Sequence, residues 1–184
     1  GSGKSTTLAS LVDIMNRKYP YHIITLEDPI EYVYTPKKAI INQREVGVDV
    51  EDYEHGLYAS LREDPDVILI GEMRTPETIE TALVAAETGH LVFSTIHTNS
   101  AVDSIDRIVG VFPENKQPQI RLQLSMTLKA VLAQQLVPRA TGRGRAAACE
   151  LMMITPPVRN LIRDGRTPQM QSYLMSGGKD GSVT

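Results

Sequence analysis

The sequence contains few of the residue types on which several classes of protein depend. Cys149 is the single cysteine, which excludes a disulfide within these 184 residues and a multi-cysteine zinc site. Aromatic residues make up 5% and the formal net charge is −3, which excludes a generally basic nucleic-acid-binding protein and provides no aromatic stacking track. We therefore expect no nucleic-acid partner and a reducing, intracellular environment.

Long apolar runs are also absent. Aliphatic stretches such as Val67–Ile70 are far shorter than the roughly 20 residues needed to cross a bilayer. No basic segment followed by an apolar one opens the sequence, so we predict neither a transmembrane segment nor an export signal. Apolar residues nevertheless make up 41%, which is enough for one domain of ordinary size with a buried core.

The chain opens with the glycine-rich segment Gly1-Ser2-Gly3-Lys4-Ser5-Thr6. Its end matches the last three positions of the phosphate-loop pattern G-x-x-x-x-G-K-[ST], and apolar residues at helical spacing follow it. Backbone N–H groups at a helix N-terminus bind phosphate, so we predict that residues 1–6 bind nucleotide. Lys4 would reach the β- and γ-phosphates and Ser5 would bind Mg²⁺. The alternative is an ordinary glycine-rich turn with a surface lysine.

Strand and helix patterns alternate along the rest of the chain. Apolar runs predict strands at residues 22–26, 67–71, 91–96 and 146–154. Helical spacing predicts helices at about 52–63, 75–87, 100–109, 117–134 and 157–164. Residues 32–51 are predicted to be irregular with short strands, one around residues 39–41, and residues 176–184 to be disordered. This alternation predicts an α/β fold with helices on both faces of a mainly parallel sheet.

Polar residues stand where three of these strands end. Glu27-Asp28, Glu72 and His97 each follow an apolar run. Ligands bind at the carboxyl edge of an open parallel sheet, where a phosphate loop also lies, so we expect these residues to converge on one nucleotide. Taken singly, Glu27-Asp28 could be an acidic loop or a helix cap, Glu72 a solvated strand end, and His97 a histidine in a turn.

Four motifs in this order carry a family resemblance: residues 3–6, 25–32, 61–74 and 89–99. They resemble the Walker A motif, Asp box, atypical Walker B motif and His box of the secretion-superfamily ATPases, the hexameric motors of type II and type IV secretion and of type IV pili. The resemblance implies a RecA-like P-loop NTPase core over residues 1–154, truncated inside the phosphate loop. A C-terminal helical segment of the same domain would cover residues 155–175. The family's PAS-like N-terminal domain, which contributes arginines to the nucleotide site, is expected to be absent.

The resemblance also implies an activity and roles for single residues. We expect a homohexamer that binds ATP and Mg²⁺ and hydrolyses ATP to ADP and phosphate. Glu27 is assigned to orienting or deprotonating the attacking water, and Glu72 to holding Mg²⁺ with Ser5. The sequence leaves the reverse assignment of the two carboxylates open. His97 would sense the γ-phosphate.

Two features favour the pilus-retraction branch of this family. Residues 158–163 resemble that branch's C-terminal signature, and the four-cysteine zinc element of extension and secretion relatives is missing. We expect a motor for type IV pilus retraction and twitching motility, at the cytoplasmic face of a bacterial inner membrane, that binds a platform protein there. The alternatives are a pilus-extension or type II secretion ATPase, a non-hydrolysing regulatory nucleotide-binding subunit and a DNA translocase.

Basic side chains provide candidate contacts with partners. Arg62, Arg74 and Arg107 are candidates for phosphate or inter-subunit contacts, although surface salt bridges are favoured for each singly. Arg159 and Arg163 lie four residues apart on one predicted helical face, which suits contact with a partner. An ordinary amphipathic helix is the alternative.

Overall fold

The computed structural model describes residues 2–140 and 142–175. They form two compact units, the first spanning Lys4–Ile96 and the second comprising Ser2, Gly3 and the chain from His97 onward. The domain boundary predicted at residue 154 stays a prediction, and the predicted disorder of residues 176–184 lies outside the described residues. Within the described ranges, no helix has both the length and the apolar character needed to cross a membrane.

The first unit alternates helices and strands as predicted. Its elements are α1 (Lys4–Lys18), β1 (His22–Glu27), β2 (Ile40–Glu45), α2 (Tyr53–Ser60), β3 (Val67–Ile70), α3 (Pro76–Glu87) and β4 (Leu91–Ser94). The strands form one sheet in the order β2-β1-β3-β4, and every neighbouring pair is parallel. The short strand expected around residues 39–41 is the start of β2, which lies at an edge of this sheet.

Helices cover both faces of the central strands. The cluster beneath α1 consists of Val12, Met15, Ile23, Ala39, Val67 and Leu69. The cluster on the opposite face, beneath α2 and α3, consists of Ile24, Leu26, Leu57, Ile68, Ile70, Ala82 and Ala85. Because side chains alternate between the faces of a strand, burial on both faces requires the near-continuous apolar runs that the sequence shows for β1 and β3, broken in β1 by the buried Thr25.

Thr75 is the N-cap of α3. Its Oγ1 accepts a hydrogen bond from the backbone N–H of Thr78 at 3.3 Å, and Pro76 occupies the first turn. Threonine is a favourable N-cap, and proline fits a first turn that needs no N–H. Thr75 therefore stabilises the N-terminus of α3, the helix that follows β3.

The second unit contains helices around an antiparallel hairpin. Its elements are α4 (Ala101–Gly110), α5 (Gln117–Thr127), β5 (Ala130–Pro138), β6 (Arg145–Met153), α6 (Pro156–Arg163) and α7 (Thr167–Met175). The predicted strand over residues 146–154 and helix over 157–164 are confirmed as β6 and α6. The α7 helix lies in the helical segment expected over residues 155–175, although the spacing predicted no separate helix there. The β5 strand pairs with β6 from Ala130 opposite Met153 to Pro138 opposite Arg145.

The helix predicted over residues 117–134 is wrong beyond its first three turns. The α5 helix ends at Thr127, Leu128 has an extended backbone, and β5 begins two residues later. Val131 and Leu132 fit a helical stripe as well as a strand, so local spacing did not distinguish the two. Their pairing with Met152 and Leu151 on β6 makes this segment a strand.

Arg159 joins α6 to the end of α5. Its Nη1 donates to the backbone carbonyls of Ser125 at 3.0 Å and Met126 at 3.1 Å. Carbonyl groups in the last turn of a helix lack intrahelical partners, and a cation there also opposes the helix dipole. Arg159 thus has a structural role within the chain, whereas Arg163, on the same helix, is exposed and contacts Asp164 at 3.4 Å.

Replacing Arg159 with alanine is expected to lower the free energy of unfolding by about 1–2 kcal/mol, because two carbonyl groups lose a charged donor. Arg163→Ala, at the exposed last residue of the same helix, is the matched control and is expected to stay within about 0.5 kcal/mol of the parent. Urea unfolding of the full-length protein measures both. Equal stability of the two variants would contradict this role for Arg159.

Candidate functional site

The carboxyl ends of β1, β3 and β4 lie side by side in the first unit. The backbone N–H of Gly71 donates to the carbonyl of Leu26 at 2.7 Å, and Thr95 Oγ1 donates to the carbonyl of Gly71 at 2.6 Å. Glu27 is the last residue of β1, and Glu72 follows β3 by two positions. The structure therefore brings Glu27 and Glu72 to the same edge of the sheet.

Gly71 permits the close approach of these two strand ends. A Cβ atom at this position would lie 3.3 Å from the carbonyl oxygen of Leu26 and 3.5 Å from the Cα of Glu27. It would also lie 3.0 Å from the hydroxyl of Tyr53. A larger residue would press on the backbone that carries Glu27, so the glycine preserves the spacing between the acidic residues.

The Glu27 carboxylate is held by two neighbouring side chains. Thr25 Oγ1 donates to Glu27 Oε1 at 2.6 Å, and Gln43 Nε2 donates to the same oxygen at 3.1 Å. Thr25 and Gln43 are register partners on β1 and β2, so their side chains extend on the same face of the sheet. Among the described residues both bonds reach Oε1, which leaves Oε2 as the oxygen that a water molecule can approach.

Glu72 is more enclosed and is paired with a cation. Its Oε2 lies 2.6 Å from Arg74 Nη2, and its side chain is 16% exposed against 72% for Arg74. The hydrogen bond and charge of Glu72 raise the pKa of Arg74 above its usual range. The favoured expectation for Arg74, a salt bridge, is confirmed.

Two tyrosines at this end of the first unit stay neutral. Burial, followed by the charges of Asp28 and Glu72, raises the pKa of Tyr53 to about 12. Burial, followed by the charge of Glu27, raises the pKa of Tyr34 to about 12. Both phenols therefore remain hydrogen-bond donors beside the carboxylates at neutral pH.

The N-terminus of α1 lies against the segment that follows β1. Thr6 Oγ1 and the hydroxyl of Tyr32 are 2.9 Å apart. Lys4, Ser5 and Thr6 form the first turn, which contains no acidic residue, so the positive end of the helix dipole is not offset by its own side chains. This arrangement is suited to a phosphate group.

Ser2 and Gly3 are described with the second unit. The carbonyl of Ser2 accepts a hydrogen bond from Gln134 Nε2 at 2.9 Å. Gly3 has φ +84°, a backbone conformation that favours glycine. A Cβ atom there would lie 2.9 Å from the same amide nitrogen, which is the end of a flexible side chain and could shift. Gly1 lies outside the described residues. His97 begins the second unit, and its convergence with Glu27 and Glu72 stays a prediction.

Sequence reasoning missed four side chains that contact these residues: Thr25, Tyr32, Gln43 and Gln134. Thr25 and Tyr32 had a local signal, because both lie in the motif over residues 25–32, and Thr25 also stands two positions before Glu27 on one strand and so shares its face. Gln43 and Gln134 reach their partners through strand pairing and long-range contact, which spacing along the chain does not reveal.

The sequence pattern of the type II/IV secretion system protein family matches residues 1–175. The chain belongs to this family. Across 184 residues it is 52% identical to the "Type IV pilus retractation ATPase PilT" of Pseudomonas aeruginosa and 50% identical to the "Twitching motility protein" of Neisseria gonorrhoeae. It spans about half the length of these relatives, 53% and 49% respectively. The predicted resemblance to pilus-retraction ATPases is confirmed.

Solved structures of similar proteins agree with the fold. The crystal structure of the pilus retraction motor PilT with bound ADP matches with a TM-score of 0.90 at 52% identity, covering 100% of this chain and 56% of that one. The ATPase DotB of Legionella pneumophila matches with a TM-score of 0.88 at 30% identity, covering 100% of this chain and 51% of that one. The predicted RecA-like α/β core with a mainly parallel sheet is confirmed.

Proposed function

We propose that this chain is the ATPase portion of a hexameric motor that hydrolyses ATP in the presence of Mg²⁺ and powers type IV pilus retraction. The observation that carries the proposal is the pair of carboxylates, Glu27 and Glu72, at neighbouring strand ends in a chain that has Gly3-Lys4-Ser5 at the start of its first helix. The 52% identity to a protein named as a pilus retraction ATPase supports the choice within the family.

The chemistry of the first residues fits a nucleotide and its metal ion. Glycine is favoured at Gly3 by its positive φ, which is typical of a loop whose backbone closely approaches phosphates. Lys4 would pair with the β- and γ-phosphates. The hydroxyl of Ser5 and the carboxylate of Glu72 are hard oxygen donors of the kind Mg²⁺ prefers, and the ion would neutralise phosphate charge. A water-mediated contact would leave the pair between Glu72 and Arg74 intact.

Glu27 is the proposed base. Its Oε1 is occupied by hydrogen bonds from Thr25 and Gln43, so Oε2 would accept the proton of the attacking water. A positioned general base contributes roughly 10²–10⁴-fold to a rate. His97 is proposed to respond to the γ-phosphate and to couple its loss to movement.

The cellular location is proposed from the same similarity to a pilus-retraction ATPase. The motor would act at the cytoplasmic face of a bacterial inner membrane and bind a platform protein of the pilus machine there. An extension or secretion ATPase is the second candidate, because the chain is 42% identical over 166 residues to the "Type II secretion system protein E" of Pseudomonas aeruginosa. That identity is lower and covers 85% of the chain, which favours retraction.

The proposal is tested on the full-length protein. Phosphate release from ATP should require Mg²⁺ and stop when EDTA is added, and light scattering of the same sample should give the mass of a hexamer. A monomer that binds nucleotide without turnover would contradict the proposed motor and would favour the alternative of a non-hydrolysing regulatory nucleotide-binding subunit. In the source bacterium, deletion should abolish twitching and leave surface pili in place, whereas loss of the pili would indicate an extension motor.

A further inference from the structure

Gln43 has an unusual position for a polar side chain on an edge strand. It lies on β2, is only partly exposed, and makes three hydrogen bonds with its amide group. Nε2 donates to Glu27 Oε1 at 3.1 Å and to the carbonyl of Tyr32 at 2.7 Å. Oε1 accepts from the backbone N–H of Tyr34 at 2.9 Å. A single side chain thus holds Glu27 and the segment that follows β1.

The same segment reaches the first turn of α1. The hydroxyl of Tyr32, whose carbonyl Gln43 binds, lies 2.9 Å from Thr6 Oγ1. Glu45, two positions along β2 and therefore on the same face, accepts a hydrogen bond from the backbone N–H of Ile30 at 3.0 Å. All of these residues belong to the first unit. Two side chains of β2 therefore hold the segment that follows β1, and this segment contacts the first turn of α1.

We infer that Gln43 is a positioning residue for ATP hydrolysis. It orients the Glu27 carboxylate and, through Tyr32, keeps that carboxylate at a fixed position relative to the first turn of α1. This inference rests on the proposed role of Glu27 as the base. Thr25 and Gln43 fix Oε1 from two directions, so the plane of the carboxylate and the direction of Oε2 are set. A base displaced by about 1 Å loses up to roughly 10²-fold in rate.

The inference predicts that the rate changes while substrate binding does not. Gln43→Ala is expected to lower kcat by about 10–100-fold and to change KM by less than about threefold, because no proposed phosphate contact is removed. Gln43→Glu is nearly isosteric and keeps the acceptor for Tyr34, but it loses both donors. It should therefore also lower kcat. Tyr32→Phe removes only the contact with Thr6 and is expected to lower kcat by a smaller factor.

Asn42 provides a matched control on the same strand. Its Nδ2 lies 3.0 Å from His22 Nε2, at the opposite end of β1 from Glu27. Asn42→Ala also removes an amide from β2 and is expected to leave kcat within about twofold of the parent. A similar fall in kcat for Asn42→Ala and Gln43→Ala would mean that β2 has only a structural role, and would overturn the inference.

The outcomes separate this inference from the proposed base. Steady-state hydrolysis and ADP binding are measured for the full-length parent, Gln43→Ala, Gln43→Glu, Glu27→Gln and the double variant Glu27→Gln/Gln43→Ala. The double variant should be no slower than Glu27→Gln alone. If Glu27→Gln is inactive while Gln43→Ala keeps the parental kcat, the positioning role fails and the base stands. If Glu27→Gln keeps activity, both fail. Loss of ADP binding in both Gln43 variants would show a structural role and overturn the inference.

Discussion

Replacing Glu27 with glutamine is expected to lower kcat for ATP hydrolysis by roughly 10²–10⁴-fold and to leave nucleotide affinity nearly unchanged. Glutamine has the same shape, and its Oε1 still accepts hydrogen bonds from Thr25 and Gln43. Only the oxygen that would accept the proton of water is lost. Single-turnover hydrolysis and ADP binding by the full-length variant measure the two effects separately.

Glu72→Gln is the matched comparison for the Glu27 variant. It removes the charge that faces Arg74 and the oxygen proposed to hold Mg²⁺, so we expect both slower hydrolysis and a higher Mg²⁺ concentration at half-maximal rate. The shift in Mg²⁺ dependence should be confined to Glu72→Gln. If it occurs in Glu27→Gln instead, the two roles are reversed. If neither change affects hydrolysis, the carboxylates have no part in the reaction.

Replacing Lys4 with alanine is expected to abolish the stabilisation of the protein by nucleotide. A ligand at 100 times its Kd stabilises the native state by about 2.7 kcal/mol, which appears as a rise in Tm. The variant loses the charge proposed to pair with the phosphates, so ADP at the concentration that stabilises the parent should cause no rise. Thermal unfolding of the full-length protein with and without ADP measures this.

The control for Lys4 lies on the same helix. Lys18 is the last residue of α1, fourteen positions away from Lys4, which places it at the opposite end of the helix. Lys18→Ala removes an equal charge and should retain the full ADP-dependent rise in Tm. Equal rises in Tm for both variants would contradict a phosphate site at the start of α1.

The first unit shows how far local pattern predicts structure. Strands β1 and β3 are buried on both faces, and such strands consist almost entirely of apolar residues that local spacing readily identifies. Gly3-Lys4-Ser5 and the acidic residues at the strand ends are equally local signals. Because parallel strands bring their carboxyl ends to one edge, the placement of Glu27 and Glu72 at the same edge followed from strand assignment, whereas their neighbouring positions depend on the pairing of β1 with β3.

Other features depended on contacts between distant parts of the chain. Residues 130–138 form a strand because they pair with residues 145–153, although their apolar residues also fit a helix. Gln43 reaches Glu27 only through the register of β2 on β1, and Arg159 reaches the end of α5 only because α6 packs against that helix.

The sequence by itself determined the α/β class, the strand-end carboxylates and the nucleotide-binding interpretation, because each depends on residues close together in the chain. Only the tertiary structure decided the β5–β6 hairpin and the side chains that hold Glu27 and Ser2 in place. The physical reason is that hydrogen bonds across a sheet are set by register and folding, and neither leaves a periodic signal in the sequence.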